Sequence, residues 1–204
     1  AGGVVEALSG ASINGTMFSD VVEAPTDIAI TALVKLISDG RHDGLVALGG
    51  GSDMDTAKAG GIVGTSGEEL RTLKVPRIVD FAVMPVIAIP TTAGTGSEVT
   101  RAAVVTDTVA SEKMLILGTA ALPVAAISDY GLTRTCPYRV TVDTGIDALT
   151  HALEALVNRN GKAHSEALAL SALKLIGANL EKVADNPDDR DAREAMMLGA
   201  THAG

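Results

Sequence analysis

Apolar positions follow two different spacings over the first two thirds of the chain. Residues 44–48 and 85–89 are short continuous apolar runs, which is typical of strands buried on both faces of a parallel sheet. After Pro25-Thr26-Asp27, apolar residues instead recur every three or four positions, and this spacing predicts an amphipathic helix that stops near Gly40. Strand and helix signals that alternate in this way predict an α/β fold with a largely parallel sheet.

The remaining segments complete this pattern. Residues 53–62 are predicted as a helix, and β-rich composition predicts strands over residues 16–22, 100–106, 113–117 and 124–128. From about residue 137 the spacing becomes helical throughout, with helices predicted over 142–157, 164–184 and 190–200. We therefore predict an α/β domain over residues 1–136, followed by the first part of an all-helical domain over residues 137–204.

Composition narrows the class of protein. Hydrophobic residues make up 47% of the 204 positions, as in a folded globular protein. The 16 Lys and Arg against 25 Asp and Glu give a net charge of −9, which argues against binding to a phosphate backbone. No apolar run approaches the ~20 residues of a membrane span. We expect a cytoplasmic protein without nucleic-acid or membrane partners, in which the single Cys136 is a reduced structural thiol.

Two polar loops follow the two buried runs. Gly49-Gly50-Gly51-Ser52 precedes a predicted helix, whose first N–H groups favour a phosphate, and Ser52 can donate to one. Residues 91–97, Thr-Thr-Ala-Gly-Thr-Gly-Ser, offer several hydroxyls at the carboxyl end of a strand, where ligands of open α/β sheets bind. Each loop taken alone is equally well interpreted as a surface turn that binds nothing. Two such loops after two buried strands are harder to dismiss together, and they predict a ligand site at this edge of the sheet.

A carboxylate and an imidazole lie four residues apart in the first predicted helix of the C-terminal part. Asp147 and His151 therefore share one helix face and form a set of donors that suits Fe²⁺ or Zn²⁺. Glu154 shares that face. A surface Asp–His ion pair is the competing interpretation, because a catalytic metal normally has at least three protein ligands. We predict that His164 and His202 are solvated helix residues.

These three segments, in this order, resemble the iron-dependent (group III) alcohol dehydrogenase family, part of the dehydroquinate synthase-like superfamily. The resemblance rests on LGGGSDMDTAKA at residues 48–59, IPTTAGTGSEVT at 89–100 and DTGIDALTHALEA at 143–155. It implies a Rossmann-like dinucleotide-binding domain followed by a helical domain, with the active site in the cleft between them. It also implies hydride transfer between a nicotinamide and a small alcohol or carbonyl substrate.

The resemblance assigns site residues as expectations. Asp147 and His151 match the first two metal ligands of the family, with Fe²⁺ as the expected ion and Zn²⁺ or Ni²⁺ as alternatives. The other two family ligands are histidines beyond residue 204. The expected contacts to NAD or NADP are Gly50, Gly51, Ser52, Asp55, Thr91, Thr92, Thr95, Val104 and Lys113.

Relative to the family, the chain lacks the first strand, whose turn helps to choose NAD over NADP. Ala24 also stands where the family often has Asn, which removes one side-chain contact expected with the nucleotide. We expect a homo-oligomer. Two alternatives stay open: a metal-independent reductase or transhydrogenase of the same superfamily, and a non-catalytic nucleotide-binding module.

Overall fold

A computed structural model describes residues 2–204. Helices and strands are mixed in the first part of this range, and only helices follow in the last part. Their bounds are α1 Gly2–Gly10, α2 Asp27–Gly40, β1 Leu45–Gly49, α3 Gly51–Ser66, β2 Val86–Pro90, β3 Ala102–Asp107, β4 Glu112–Leu117, β5 Ala125–Ala126, α4 Tyr138–Val157, α5 Ala163–Asp185 and α6 Arg190–Ala203. The α/β fold is thereby confirmed.

Helix α2 shows how local sequence sets an element. The hydroxyl of Thr26 accepts a hydrogen bond from the N–H of Ala29 at 3.2 Å, which caps the first turn. Ile30, Leu33 and Ile37 lie on the buried face. The helix ends at Gly40, as the spacing predicts.

Strands β1, β2 and β5 form one parallel sheet in the order β1-β2-β5. Leu45 of β1 is in register with Val86 of β2, and Ile87 of β2 is in register with Ala125 of β5. Helix α3 covers the sheet through a small apolar cluster of Ala47, Met54, Ala57, Val86 and Ala88. The carboxyl ends of β1 and β2 therefore lie side by side, and so do the loops that follow them.

Strands β3 and β4 depart from the predicted parallel sheet. They form a separate antiparallel hairpin, in which Ala102 is in register with Leu117 and Asp107 with Glu112. The reason is the short connection: residues 108–111 are too few for the crossover that a parallel pair requires. The hairpin packs on α3 rather than extending the sheet.

An ion pair anchors the end of this hairpin. Nη2 of Arg71 lies 2.8 Å from Oδ1 of Asp107, and the N–H groups of Val109 and Ala110 donate to the same oxygen. These bonds hold the pKa of the Asp107 carboxyl well below its usual range. The turn between the two strands is thereby held to the body of the domain.

The strand predicted over residues 16–22 is wrong. The segment is largely exposed and pairs with no other strand among residues 2–204. β-propensity alone does not make a strand, because the backbone N–H and C=O groups need a neighbouring strand to bond with.

The last third of the chain is a packed group of helices, as predicted. Helices α4, α5 and α6 share one apolar cluster, built from Ala148, Ala152, Ala172, Ile176, Val183, Ala192, Met196 and Ala200. Small alanines dominate this cluster, which lets the helix axes approach closely. Among residues 2–204, no helix combines the length and apolar character needed to cross a membrane.

A lysine lies at the centre of the first part. Lys58 of α3 is only 1% exposed. Its ammonium donates to Oγ of Ser97 at 2.8 Å, to the carbonyl of Ala102 at 2.9 Å, and to the carbonyl and hydroxyl oxygens of Thr100 at 3.1 Å. One buried cation thus ties α3 to the segment that connects the threonine loop, residues 91–97, with β3.

The burial of Lys58 has a consequence for its ionisation. Removal from water lowers the pKa of Lys58 to about 8, and the carboxylates of Asp55 and Glu98 partly oppose this shift. Between pH 8 and the unfolded value of 10.5, the unfolded chain holds a proton that the folded chain has lost. The free energy of unfolding therefore gains a contribution that rises with pH in this window.

Replacement of Lys58 by Met in the full-length protein tests the structural role of the buried ammonium and its lowered pKa. At pH 7 the loss of the ammonium leaves oxygens of Ser97, Thr100 and Ala102 buried without donors, and we expect a destabilisation of about 2–4 kcal/mol in urea unfolding. From pH 8 to pH 10.5, the difference in unfolding free energy between wild type and variant should grow by up to ~1.4 kcal/mol per pH unit.

The exposed Lys174 of α5 supplies the control. Lys174→Met should leave the free energy of unfolding within about 0.5 kcal/mol of wild type. A wild-type advantage over Lys58→Met that shrinks as the pH rises would contradict the lowered pKa of Lys58.

Candidate functional site

The two polar loops predicted from the sequence meet at one edge of the sheet. Strand β1 ends at Gly49 and β2 ends at Pro90, and the two ends are in register. The N–H of Thr91 donates to the carbonyl of Gly49 at 2.8 Å, so the first residue of the threonine loop bonds directly to the glycine loop. This is the edge at which open parallel sheets bind their ligands.

Glycine is required in the first loop by geometry. Gly49 has a φ of +156°, and a Cβ there would lie 2.2 Å from Oδ2 of Asp53. A Cβ on Gly51 would lie 2.7 Å from Cγ2 of Thr95 in the neighbouring loop. The two loops therefore approach each other more closely than residues with side chains would allow.

The N-terminus of α3 lies at this shared edge, where its first residues are half-buried. Oδ2 of Asp53 accepts from the N–H of Gly50 at 2.9 Å, which fixes the turn into the helix. The first N–H groups of a helix have no partner within it, and its N-terminus carries partial positive charge. A glycine loop that leads into such an N-terminus can accept a phosphate group.

Ser52 has a different partner from the one its sequence position predicts. Its hydroxyl donates to the carbonyl of Glu23, in the segment before α2. A bond from Ser52 to a phosphate stays a prediction, and it would require this hydroxyl to turn away from Glu23.

Asp55 links helix α3, which follows the glycine loop, to the hairpin of β3 and β4. Its Oδ1 accepts from the hydroxyl of Ser97 at 2.7 Å, and its Oδ2 accepts from the N–H of Val104 at 3.0 Å. Burial raises the pKa of the Asp55 carboxyl, while these two hydrogen bonds and the charge of Lys58 act in the opposite direction. Asp55 and Val104 are thus in direct contact, and their contacts to a cofactor stay a prediction.

The remaining cofactor candidates lie around the same edge or on the hairpin. Thr92 stands beside the glycine loop, and a Cβ on Gly50 would lie 3.6 Å from its side chain. Lys113 is exposed on β4, where it is in register with Thr106. No hydrogen bond joins the ammonium of Lys113 to another group of the described chain.

The predicted metal pair lies on α4. Nε2 of His151 is 3.6 Å from Oδ1 of Asp147, and both side chains are about two fifths exposed. Within residues 2–204, no third His, Cys, Asp or Glu joins them in a metal-sized group. Asp147 and His151 therefore offer one oxygen and one nitrogen ligand on an accessible face, which is half of a tetrahedral shell.

Helix α4 brings this pair close to the edge at which the two polar loops meet. A Cβ on Gly94 would lie 2.5 Å from Cβ of Thr144, so the threonine loop rests directly on α4. Thr144, Asp147 and His151 are spaced i, i+3 and i+7 and share one face of the helix. Asp147 is about 4.5 Å further along the helix axis than the contact with the loop.

Two other histidines do not join the pair. His164 is exposed at the start of α5, as predicted. His202 is half-buried, and its Nδ1 lies 3.0 Å from the hydroxyl of Ser171, so the prediction of a solvated residue is wrong. The packing of α6 against α5 explains the difference.

The burial of three charged residues near the site was not predicted from the sequence. Lys58 and Glu98 are 1% and 4% exposed, and Arg193 of α6 is 3% exposed. Long charged residues are ordinarily taken as surface residues, and only their neighbours suggest otherwise. The signal for Lys58 was its place in the run Ala-Lys-Ala-Gly-Gly, where every other side chain is small and apolar.

Comparison with known proteins identifies the same motifs. Residues 1–130 match the family model described as iron-containing alcohol dehydrogenase, and residues 141–204 match that of the Fe-containing alcohol dehydrogenase family, C-terminal. The NAD-dependent methanol dehydrogenase of Bacillus methanolicus is 39% identical over 194 residues, which is 95% of this chain and 51% of that protein. The lactaldehyde reductase of Escherichia coli K12 is 34% identical, over 98% of this chain and 53% of its own length.

Comparison with solved structures points to the same family. The sulfoacetaldehyde reductase of Bifidobacterium kashiwanohense, solved in complex with NAD+, superposes with a TM-score of 0.92 at 31% identity, over 99% of this chain and 55% of that one. The chain thus spans about half the length of the curated relatives it matches. With both family models matched and the fold shared, the chain belongs to the iron-containing alcohol dehydrogenase family.

Proposed function

We propose that the full-length protein is a metal-dependent, NAD(P)-linked alcohol dehydrogenase, which in reverse reduces a small aldehyde. The observation that carries this proposal is the contact between Gly94 and Thr144. It joins the loop expected to bind the nicotinamide cofactor to the helix face that bears Asp147 and His151. Hydride transfer requires the cofactor and the substrate to be held side by side, and a direct contact between the loop and the helix supports such an arrangement.

In this proposal the two loops bind the cofactor. The glycine loop and the N-terminus of α3 receive the pyrophosphate, with Gly50 and Gly51 leaving room for the backbone to approach it. The hydroxyls of Thr91, Thr92 and Thr95 line the neighbouring edge. Asp55 holds the N–H of Val104 and thereby fixes the hairpin that carries Lys113 beside the ribose.

The metal pair fits its proposed role in chemistry and in accessibility. One carboxylate oxygen and one imidazole nitrogen are ligands that Fe²⁺ and Zn²⁺ both accept, and both side chains are open to solvent. The further ligands would come from the part of the full-length protein outside this chain. When bound, the ion would supply Lewis-acid polarisation of the substrate oxygen.

The direct test uses full-length protein purified anaerobically with iron. We expect NADH oxidation with a small aldehyde, loss of turnover on chelation, and recovery when Fe²⁺ is added. Turnover that chelators leave unchanged would support a metal-independent reductase of the superfamily instead. NADH binding with no turnover for any aldehyde would support the nucleotide-binding module.

Replacement of His151 by Ala tests the metal assignment. We expect iron content to fall and kcat for aldehyde reduction to drop at least about 100-fold, because a direct metal ligand is lost. The dissociation constant for NADH should change less than about threefold, since no hydrogen bond or ion pair joins His151 to either polar loop among residues 2–204.

The exposed His164 provides a matched control, because it is a second histidine on a helix of the same group. His164→Ala should retain wild-type iron content and turnover. Full metal-dependent turnover in His151→Ala would refute the assignment.

Replacement of Gly50 by Ala tests the cofactor loop. Gly50 has a φ of −85°, and the nearest atom to an added Cβ is 3.6 Å away, so the protein should fold normally. That Cβ would nevertheless project into the edge at which the pyrophosphate is expected. We predict a weakening of NADH binding by at least about tenfold, or roughly 1.4 kcal/mol, measured by fluorescence titration.

Gly177 supplies the control for a glycine-to-alanine change. A Cβ at this position in the middle of α5 meets no atom within 4 Å. Gly177→Ala should stabilise the helix by up to about 1 kcal/mol and leave NADH affinity unchanged. Wild-type affinity in Gly50→Ala would show that the cofactor does not approach this loop.

A further inference from the structure

A small cavity lies against the threonine loop, where the connector of residues 130–137 meets the helices. Its volume is about 10 Å³, which is room for about one water-sized particle. Its wall is formed by Ala93 of the loop, Thr133 and Cys136 of the connector, Thr141 and Thr144 of α4, Val183 of α5, and Arg193 and Met196 of α6. The cavity is separate from the Asp147–His151 pair and from the glycine loop.

Arg193 is the charged group on this wall. Its Nε donates to the carbonyl of Pro187 at 2.9 Å, and its Nη1 donates to the carbonyl of Thr133 at 2.9 Å and to the hydroxyl of Thr141 at 3.4 Å. Its Nη2 is buried and has no partner among residues 2–204. A buried N–H without an acceptor is costly, and more so on a charged group.

Charge in this region is not balanced. All three protein partners of Arg193 are neutral oxygens. The nearby carboxylate of Asp188 is already paired with Arg134, at 2.7 Å. Burial and the charge of Arg134 both lower the pKa of Arg193, whereas Cys136 and Asp188 oppose that shift. Two guanidinium groups therefore face one carboxylate, and one positive charge is left over.

The unpaired side-chain groups on the wall are donors. The hydroxyls of Thr133 and Thr144 donate to main-chain carbonyls, and the Cys136 thiol points its hydrogen to the carbonyl of Thr91. The Thr141 hydroxyl accepts from Arg193 and has its own hydrogen free. The hydroxyl oxygens of Thr133 and Thr144 can still accept, so hydrogen bonding alone suits either a water molecule or an anion. The positive charge of Arg193, which no carboxylate contacts, favours the anion.

We propose that this cavity binds one chloride ion, held by Nη2 of Arg193 and the hydroxyl of Thr141. The ion supplies the missing acceptor and the missing negative charge in the same place. It also joins α6 and α4 where they meet the connector and the threonine loop. The chloride site is independent of the proposed dehydrogenase activity, and its test requires no substrate.

The first arm of the test is crystallographic. Full-length protein is crystallised with sodium bromide in place of sodium chloride, and data are collected at the bromine edge. We expect an anomalous peak within hydrogen-bond distance of Nη2 of Arg193. Density without anomalous signal at that position identifies a water molecule and overturns the proposal, as does the absence of any density.

The second arm measures thermal unfolding of the full-length protein in chloride, bromide and gluconate salts at equal ionic strength. An ion that binds only the folded state raises Tm, and we expect Tm to be higher in chloride and bromide than in gluconate by about 2 °C. Thr141→Val keeps the shape of the side chain and removes the donor, so this halide-specific increase should fall by at least half.

Thr150 provides the matched control on the same helix. It is exposed, and its hydroxyl donates to the carbonyl of Ile146, so Thr150→Val should keep the full increase. A bromide peak without any halide-specific change in Tm indicates an adventitious ion only, and that outcome also overturns the proposal. If Thr141→Val keeps the full increase in Tm, the halide acts at another site, and the proposal is overturned.

Discussion

The threonine loop is the segment on which the arrangement of the site depends. Its first residue, Thr91, bonds to Gly49 and accepts from Cys136, its Gly94 rests on Thr144, and its Gly96 lies against Gly204. Each of these contacts involves a different part of the chain: the glycine loop, the connector, α4 and the end of α6. Because the contacts are mostly with backbone or with glycine, the loop has little freedom to shift relative to any one of them.

Two buried cations bond to segments that adjoin this loop. Lys58 bonds to Ser97 at the end of the threonine loop and to Thr100 and Ala102 after it, and Arg193 bonds to Thr133 in the connector. Buried charges contribute little net stability, because their desolvation offsets the bonds that they make. Their role here is to position the neighbouring segments. Several oxygens accept hydrogen bonds from each cation, and a neutral residue of similar size would not supply these donors.

Much of the fold was predictable from local signals. Pro25-Thr26-Asp27 placed the start of α2, and the two apolar runs placed β1 and β2, because these features act within a few residues. The strand predicted over residues 16–22 was wrong, since β-propensity does not supply a partner strand. The antiparallel hairpin follows from the short connection between β3 and β4, which the prediction of a largely parallel sheet did not take into account. The candidate site was likewise predictable only in part. Which loops face the ligand follows from sheet topology, whereas the burial of Lys58 and Arg193 follows from packing that no spacing rule describes.

The contact between Gly94 and Thr144 has a consequence for how such a protein can diverge. Any side chain at position 94 would press on α4 and turn the helix that carries Asp147 and His151. Substitutions at positions 94 and 144 are therefore expected to occur together or not at all. Residues elsewhere on the helices, by contrast, can change without disturbing this contact. The fold thus ties two positions that lie fifty residues apart in the chain into one pair, and leaves the rest of the helix surface free to vary.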